Sequence, residues 1–325
     1  MQRWFLVTLH LGVFFHFSLA LAVTSQHTRT TPNAASTTEV KFPNFTSCTV
    51  AELQLAVPEL KGLKTAPNQK KLAALLDKVG AKTLDIARMT PNLISRETVI
   101  EGLLDSGETR HDYDYLILTG NEGNVFDFKE FRVDLKTGAK FQIDEELKNE
   151  SPTWADVEGA RDELAASQSR PPASQGFATS WLHFYPDNRR QATFRYLGEQ
   201  KLDGQRLLLL AFAQKPQSVL SPGIFQSQGK TVPIFFQGLA WVDPSDFRIV
   251  RLRTDLLAPL PEVSLQRLTA DIQFAPTRLE QVPSLLSLPR EITIISKVSG
   301  WTLREIHTYS EYRLFRVQSR IVVNP

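Results

Sequence analysis

The feature that most constrains this chain is a succession of tight-turn signals between apolar-rich runs in its second half. Asp203-Gly204 separates "TFRYLGEQKL" from "QRLLLLAFA", and Ser299-Gly300 separates "REITIISKV" from "WTLREIHTYSEYRLFRV". Asp243-Pro244-Ser245-Asp246 separates "TVPIFFQGLAWV" from "FRIVRLRTDL". Asp-Gly between such runs signals a short hairpin turn, and a proline with fixed φ between an aspartate and a serine favours a tight one. "LQRLTADIQF" adds Leu268, Ala270, Ile272 and Phe274 alternating with Thr269, Asp271 and Gln273, the period of a half-buried strand. Strands joined this closely pair antiparallel, because a parallel sheet needs crossover helices.

Ahead of this meander, apolar residues recur at Leu72, Leu75, Leu76, Val79, Thr83, Ile86 and Ala87, which predicts an amphipathic helix ending before Pro91. Thr153 and Asp156 resemble a capping box and predict a second helix, with Trp154, Val157, Arg161 and Leu164 down one face. "SQSRPPASQG" breaks it, and Phe177, Trp181 and Phe184 then suggest a short amphipathic turn before Pro186. "TVIEGLLD", "DYLILTG" and "NVFDFKEFRVDL" read as strands between the two helices. An antiparallel sheet of roughly ten strands curls, splits into a sandwich or closes. The expected fold is therefore α+β, a large twisted antiparallel sheet or unclosed β-barrel with a few helices on its concave side.

The N-terminus bounds the compartment. Arg3, the apolar run Trp4 to Leu21 and the small residues Ala20-Leu21-Ala22 have the layout of a secretory signal peptide cut after Ala22. Residues 23–45 are rich in Ser, Thr, Ala and Asn and read as a flexible leader, leaving 46–325 as one domain. The expected location is periplasmic or secreted, with no membrane span after cleavage. Cys48 is the only cysteine, so an intrachain disulfide is impossible and a core must supply stability. Lysine and arginine number 37 against 35 acids, a balance that argues against nucleic acid as a partner.

Pairing the Asp203-Gly204 hairpin across a two-residue turn places Phe194 and Tyr196 on one face with Leu207, Leu209, Ala211 and Ala213. Those six, with Trp241, form the candidate ligand face, since Ala211 and Ala213 leave room beside the aromatic rings. Helix packing competes for the same face, because "RLLLLAFA" is apolar on both sides. Trp241, Trp301, Phe235 and Phe236 could stack a ligand, with a core role as the commoner use of strand aromatics.

Catalytic signals are weak. Gly229-Lys230-Thr231 lacks the spacing and helix of a phosphate loop, and Ser227 with Lys230 matches only a bare S-x-x-K. His111 in "RHDYDY" suggests a turn, His183 the polar side of a short helix, and His307 a strand position against an aliphatic neighbour. No spacing suggests a metal site, no cofactor is called for, and no motif joins a nucleophile to a base. The chain is accordingly expected not to be an enzyme.

A signal peptide, an N-terminal amphipathic helix and a "G-x-x-W-V-D-P" hairpin with an arginine-rich return strand, Gly238 to Arg253, together resemble the LolA/LppX/RseB group of periplasmic lipoprotein carriers and sensors. Thr193 to Ala213 adds a weaker likeness, and "YSEYRLF" is similar to the closing strand of uncharacterised secreted bacterial proteins. The resemblance implies an unclosed barrel that holds lipid or lipoprotein acyl chains. The alternatives are an envelope interaction or signalling protein with a filled core and, behind it, a hydrolase with a site assembled from distant residues.

Overall fold

The computed structural model describes residues 14–16, 43–104, 107–122, 125–142, 177, 180–220, 222–227 and 230–315. The helix expected from Thr153 and most of the expected signal peptide and leader lie outside them. In chain order the elements are β1 (Phe14–His16), α1 (Val50–Ala56), β2 (Lys64–Thr65), α2 (Leu72–Met89), β3 (Leu93–Leu103), β4 (Glu108–Glu122), β5 (Val125–Asp134) and β6 (Lys140–Gln142). Two 3-10 segments, Ser180–Phe184 and Pro186–Gln191, lead into β7 (Ala192–Leu202) and β8 (Gln205–Gln214). There follow β9 (Gly223–Ser227), β10 (Lys230–Ile234), β11 (Phe236–Val242), β12 (Ile249–Leu256), β13 (Leu265–Thr277), β14 (Leu286–Val298) and β15 (Trp301–Leu314).

Twelve strands form one sheet in the order β2-β7-β8-β11-β12-β13-β14-β15-β3-β4-β5-β6. The order has two ends, so the sheet is open, and every pairing within it is antiparallel. This is the α+β architecture that the turn chemistry dictates. β9 and β10 form a separate ribbon, with β1 parallel to β9.

The sheet has two covered faces. On the inner face, α2 lays Leu75 and Val79 against a large cluster that includes Tyr196, Leu210, Phe212, Ala240, Leu252, Ile272 and Ile294, while Ala87 packs with Tyr185 in a small separate cluster. On the outer face, the capping box of Thr49 and Glu52 starts α1, which seats Leu53 with Phe45, Val57 and Leu60 over Leu207, Leu209, Ala211, Leu239 and Trp241. β8 is buried on both sides, as its unbroken apolar run requires.

One irregularity alters the expected register. Leu202 does pair with Gln205 across Asp203-Gly204, but the ladder slips at Leu197, so Tyr196 faces Leu210 and Phe194 faces Phe212. Gly198, at φ +131°, makes this bulge possible. A Cβ there would stand 2.0 Å from the Lys64 carbonyl oxygen, where β2 joins the sheet edge.

Candidate functional site

The seven residues of the candidate ligand face do not share one face. Beyond the bulge, Phe194 and Tyr196 belong to the inner cluster, while Leu207, Leu209, Ala211 and Trp241 belong to the outer one. Ala213 pairs with Gln237, which receives a hydrogen bond from Phe45 N and donates one to the Pro43 carbonyl. The space beside Ala211 is filled by the α1 segment.

Trp241 is held by two side-chain contacts. Its indole N–H donates to Gln200 Oε1 at 2.7 Å, and the guanidinium of its cross-strand partner Arg251 lies 4.6 Å from the ring centroid. Arg251 is paired with Asp271 and Arg253 with Asp255, and both reach Glu59 from the segment after α1. The arginines of the return strand thus fasten the N-terminal cover to the sheet. The loop between β11 and β12 spans Asp243 to Arg248, longer than a bare four-residue turn, and Asp243 caps it by accepting from Ser245 N and Oγ. Phe236 is buried in the inner cluster, whereas Trp301, assigned to a core by its strand setting, is exposed at the first position of β15.

The inner face has two chemically different halves. From β7 to β14 it is apolar, and α2 covers it together with the 3-10 segment that carries Phe184. α2 is held there by its apolar stripe, by Arg189 bonding to Asp77 and the Leu76 carbonyl, and by Lys78 over the Phe247 ring at 4.5 Å. The Asp77 carboxylate is largely exposed, so that ion pair contributes no more than about 1 kcal/mol. Clefts open at both margins. One of about 240 Å³ lies between Lys64–Lys71 and Tyr196, Gly198 and Glu199, and one of about 10 Å³ lies between Lys82, Thr83 and Ile86 and strands β12 to β14.

From β15 through β3 to β5 the same face, although it still carries Leu93, Ile117, Tyr115 and Tyr309, holds a sealed polar network. Glu97 accepts from Arg132 Nε at 2.6 Å and Nη2 at 2.9 Å, from Tyr309 Oη at 2.8 Å, and contacts His307 Nδ1 at 2.9 Å. Tyr115 Oη donates to Glu130, and the Tyr115 and Tyr309 rings pack on Phe177. Burial alone would raise the Glu97 pKa, but Arg132 and His307 hold it far below the carboxylate range. Burial alone would lower the His307 pKa; Glu305, 3.4 Å from Nε2, and Glu97 override it, and the imidazole is raised.

His307 does stand between aliphatic cross-strand partners, Ile292 and Val99, as expected, and it also faces the carboxylates of Glu97 and Glu305. Its Nδ1 lies at hydrogen-bond distance from Glu97, and Nε2 is 3.4 Å from Glu305. His111 lies within β4 and not in a turn, 3.7 Å from Glu101. His183 is not on a polar side: its ring stacks on Phe212 at 4.6 Å, and burial lowers its pKa to about 4. Sequence reading missed this network because Glu97, Arg132 and His307 lie on three separated strands as ordinary polar positions. Among the described residues no group of three or more His, Cys, Asp or Glu is arranged to hold a metal ion.

No family model matches the chain, and no curated protein matches it. Among solved structures the chain is similar to a DUF1329 family protein from Desulfovibrio piger, at 12% identity and TM-score 0.39, covering 76% of this chain and 94% of that one. It is similar to a LolA superfamily protein from Nitrosomonas europaea, at 12% identity and TM-score 0.33, over 76% and 94% of the two chains. It is similar also to the lipoprotein LppX of Mycobacterium tuberculosis, at 11% identity and TM-score 0.25, over 74% and 95%. These are likenesses of chain path alone.

Proposed function

We propose that the protein is a secreted or periplasmic, non-enzymatic binding protein that takes an apolar chain of a lipid or lipoprotein between α2 and the apolar half of the inner face. The observation behind this reading is that an amphipathic helix, α2, covers part of that half, with a surface ion pair and a lysine–aromatic contact among its fastenings. Displacing α2 exposes a continuous apolar surface, and each CH₂ placed on it contributes about 0.8 kcal/mol without a directional partner. The signal-peptide layout of residues 1–22 supports the compartment. Organic extraction of the purified protein followed by mass spectrometry should find bound lipid, and a fluorescent fatty acid should bind at one saturable site. An empty extract with no fluorescence change removes the reading.

A specific observation favours a second reading. His183 and Phe184 from the 3-10 segment pack on Phe212 with ring centroids 4.6 and 5.7 Å away, occupying part of the inner face with the chain's own side chains. A filled interior would make this an envelope interaction protein that meets partners through a sheet edge. Under that reading α2 amides exchange as slowly as those of β8; under the first they exchange faster.

A further inference from the structure

We infer that one rim of the sheet docks on an anionic lipid surface. The strand order brings three successive hairpin connections, β14–β15, β3–β4 and β5–β6, to the same end of the sheet. Each presents a large apolar side chain to solvent: Trp301 at 42% exposure, Leu104 at 59% and Leu135 at 43%. The connections that carry Trp301 and Leu104 adjoin, since Leu104 N donates to the Thr302 carbonyl, and the register sets the two side chains on opposite sides of the sheet end. Isolated exposed leucines are ordinary, but three on consecutive tips of one rim make a shared edge.

The charges around these tips complement an anionic surface. Lys136, Lys140 and Lys297 are exposed and enter no ion pair among the described residues. The neighbouring acids Glu108 and Asp112 are already paired, with Arg304 and Arg110. A tryptophan at the headgroup level, leucines just below it and lysines reaching back to the phosphates is the arrangement expected of an interfacial contact. Trp301 also pairs with Val298, whose side chain is in the inner cluster, so the rim leads onto the inner face. The docking stands whether or not the interior takes an acyl chain, and the two are tested separately.

Co-sedimentation of the full chain with vesicles tests it. Vesicles of phosphatidylcholine mixed with phosphatidylglycerol should pull down the protein, and pure phosphatidylcholine should do so more weakly. Trp301→Ser with Leu104→Ser should lower binding at least about tenfold, given the apolar area lost. Lys297→Gln and Lys136→Gln should each lower binding to the anionic vesicles about fivefold. Leu285→Ser, at the opposite end of β14 and similarly exposed, should leave binding and melting temperature unchanged. Equal losses from Leu285→Ser and the rim variants overturn the inference, as does failure to bind either vesicle. Rim-dependent self-association in sedimentation velocity, without vesicle binding, also overturns it. Lipid extraction that comes back empty while vesicle binding persists would remove only the acyl-chain reading.

Discussion

Arg132 and Glu97 meet through two parallel hydrogen bonds on adjoining parts of the inner face, and neither side chain reaches solvent. A carboxylate so deep is stable only while its partner is present. Arg132→Met should cost about 3–5 kcal/mol, because it leaves a buried charge uncompensated. Adding Glu97→Gln should recover part of that loss. Urea unfolding of the single and double variants measures both, and a single-variant cost below about 1 kcal/mol would mean that the pair is solvated.

The two buried histidines impose opposite pH dependences. His183 titrates near 4 when folded against 6.5 unfolded, so its contribution is present above pH 6.5 and is lost as pH falls to about 4, a loss of about 3 kcal/mol. His183→Phe should flatten that limb of a stability–pH curve. His307 is raised instead: its contribution is complete below 6.5 and is lost as pH rises through the folded value. His307→Gln should remove the alkaline decline. Unchanged limbs in both variants would place the two rings in water.

Much of the architecture is legible in short-range chemistry. Asp203-Gly204 and Ser299-Gly300 do turn the chain, with Asp203 and Ser299 at positive φ, and the spacing from Leu72 to Ala87 does make α2. The register of β7 on β8 was not legible beyond Gly198, because the bulge at Leu197 rests on the positive φ of Gly198, which also leaves room for β2. The ionic network was hidden for another reason. β3 alternates, but its buried positions include Ser95 and Glu97, so polarity pointed to the wrong side. Only long-range partners such as Arg132 and His307 make such a side chain tolerable inside.

The bulge also separates the two faces experimentally. Ala211 is sealed under the α1 segment, so Ala211→Phe should cost about 1–3 kcal/mol by overpacking. Trp241→Ala should cost about 3–5 kcal/mol for the lost aromatic volume. Neither residue touches the inner face, and fluorescent fatty-acid affinity should be unchanged at temperatures where both variants stay folded. A change in affinity from Ala211→Phe would put the ligand on the outer face.

Gly80 tests how α2 is seated. In most helices Gly→Ala is favourable by about 0.5–1 kcal/mol. Here the added Cβ would lie 3.1 Å from the Phe184 carbonyl oxygen, 3.3 Å from Pro186 Cγ and 2.5 Å from Arg189 Nη2. Arg189 is already committed to Asp77 and the Leu76 carbonyl, and a backbone oxygen cannot step aside, so the helix must lift from the 3-10 segment. Gly80→Ala should therefore lower the melting temperature, and Gly80→Leu should lower it further while increasing fluorescence of a bound apolar dye as the inner face opens. A rise in melting temperature for Gly80→Ala would show that α2 does not rest on Phe184 and Pro186 in solution, and would withdraw the contact on which its role as the cover of the inner face depends.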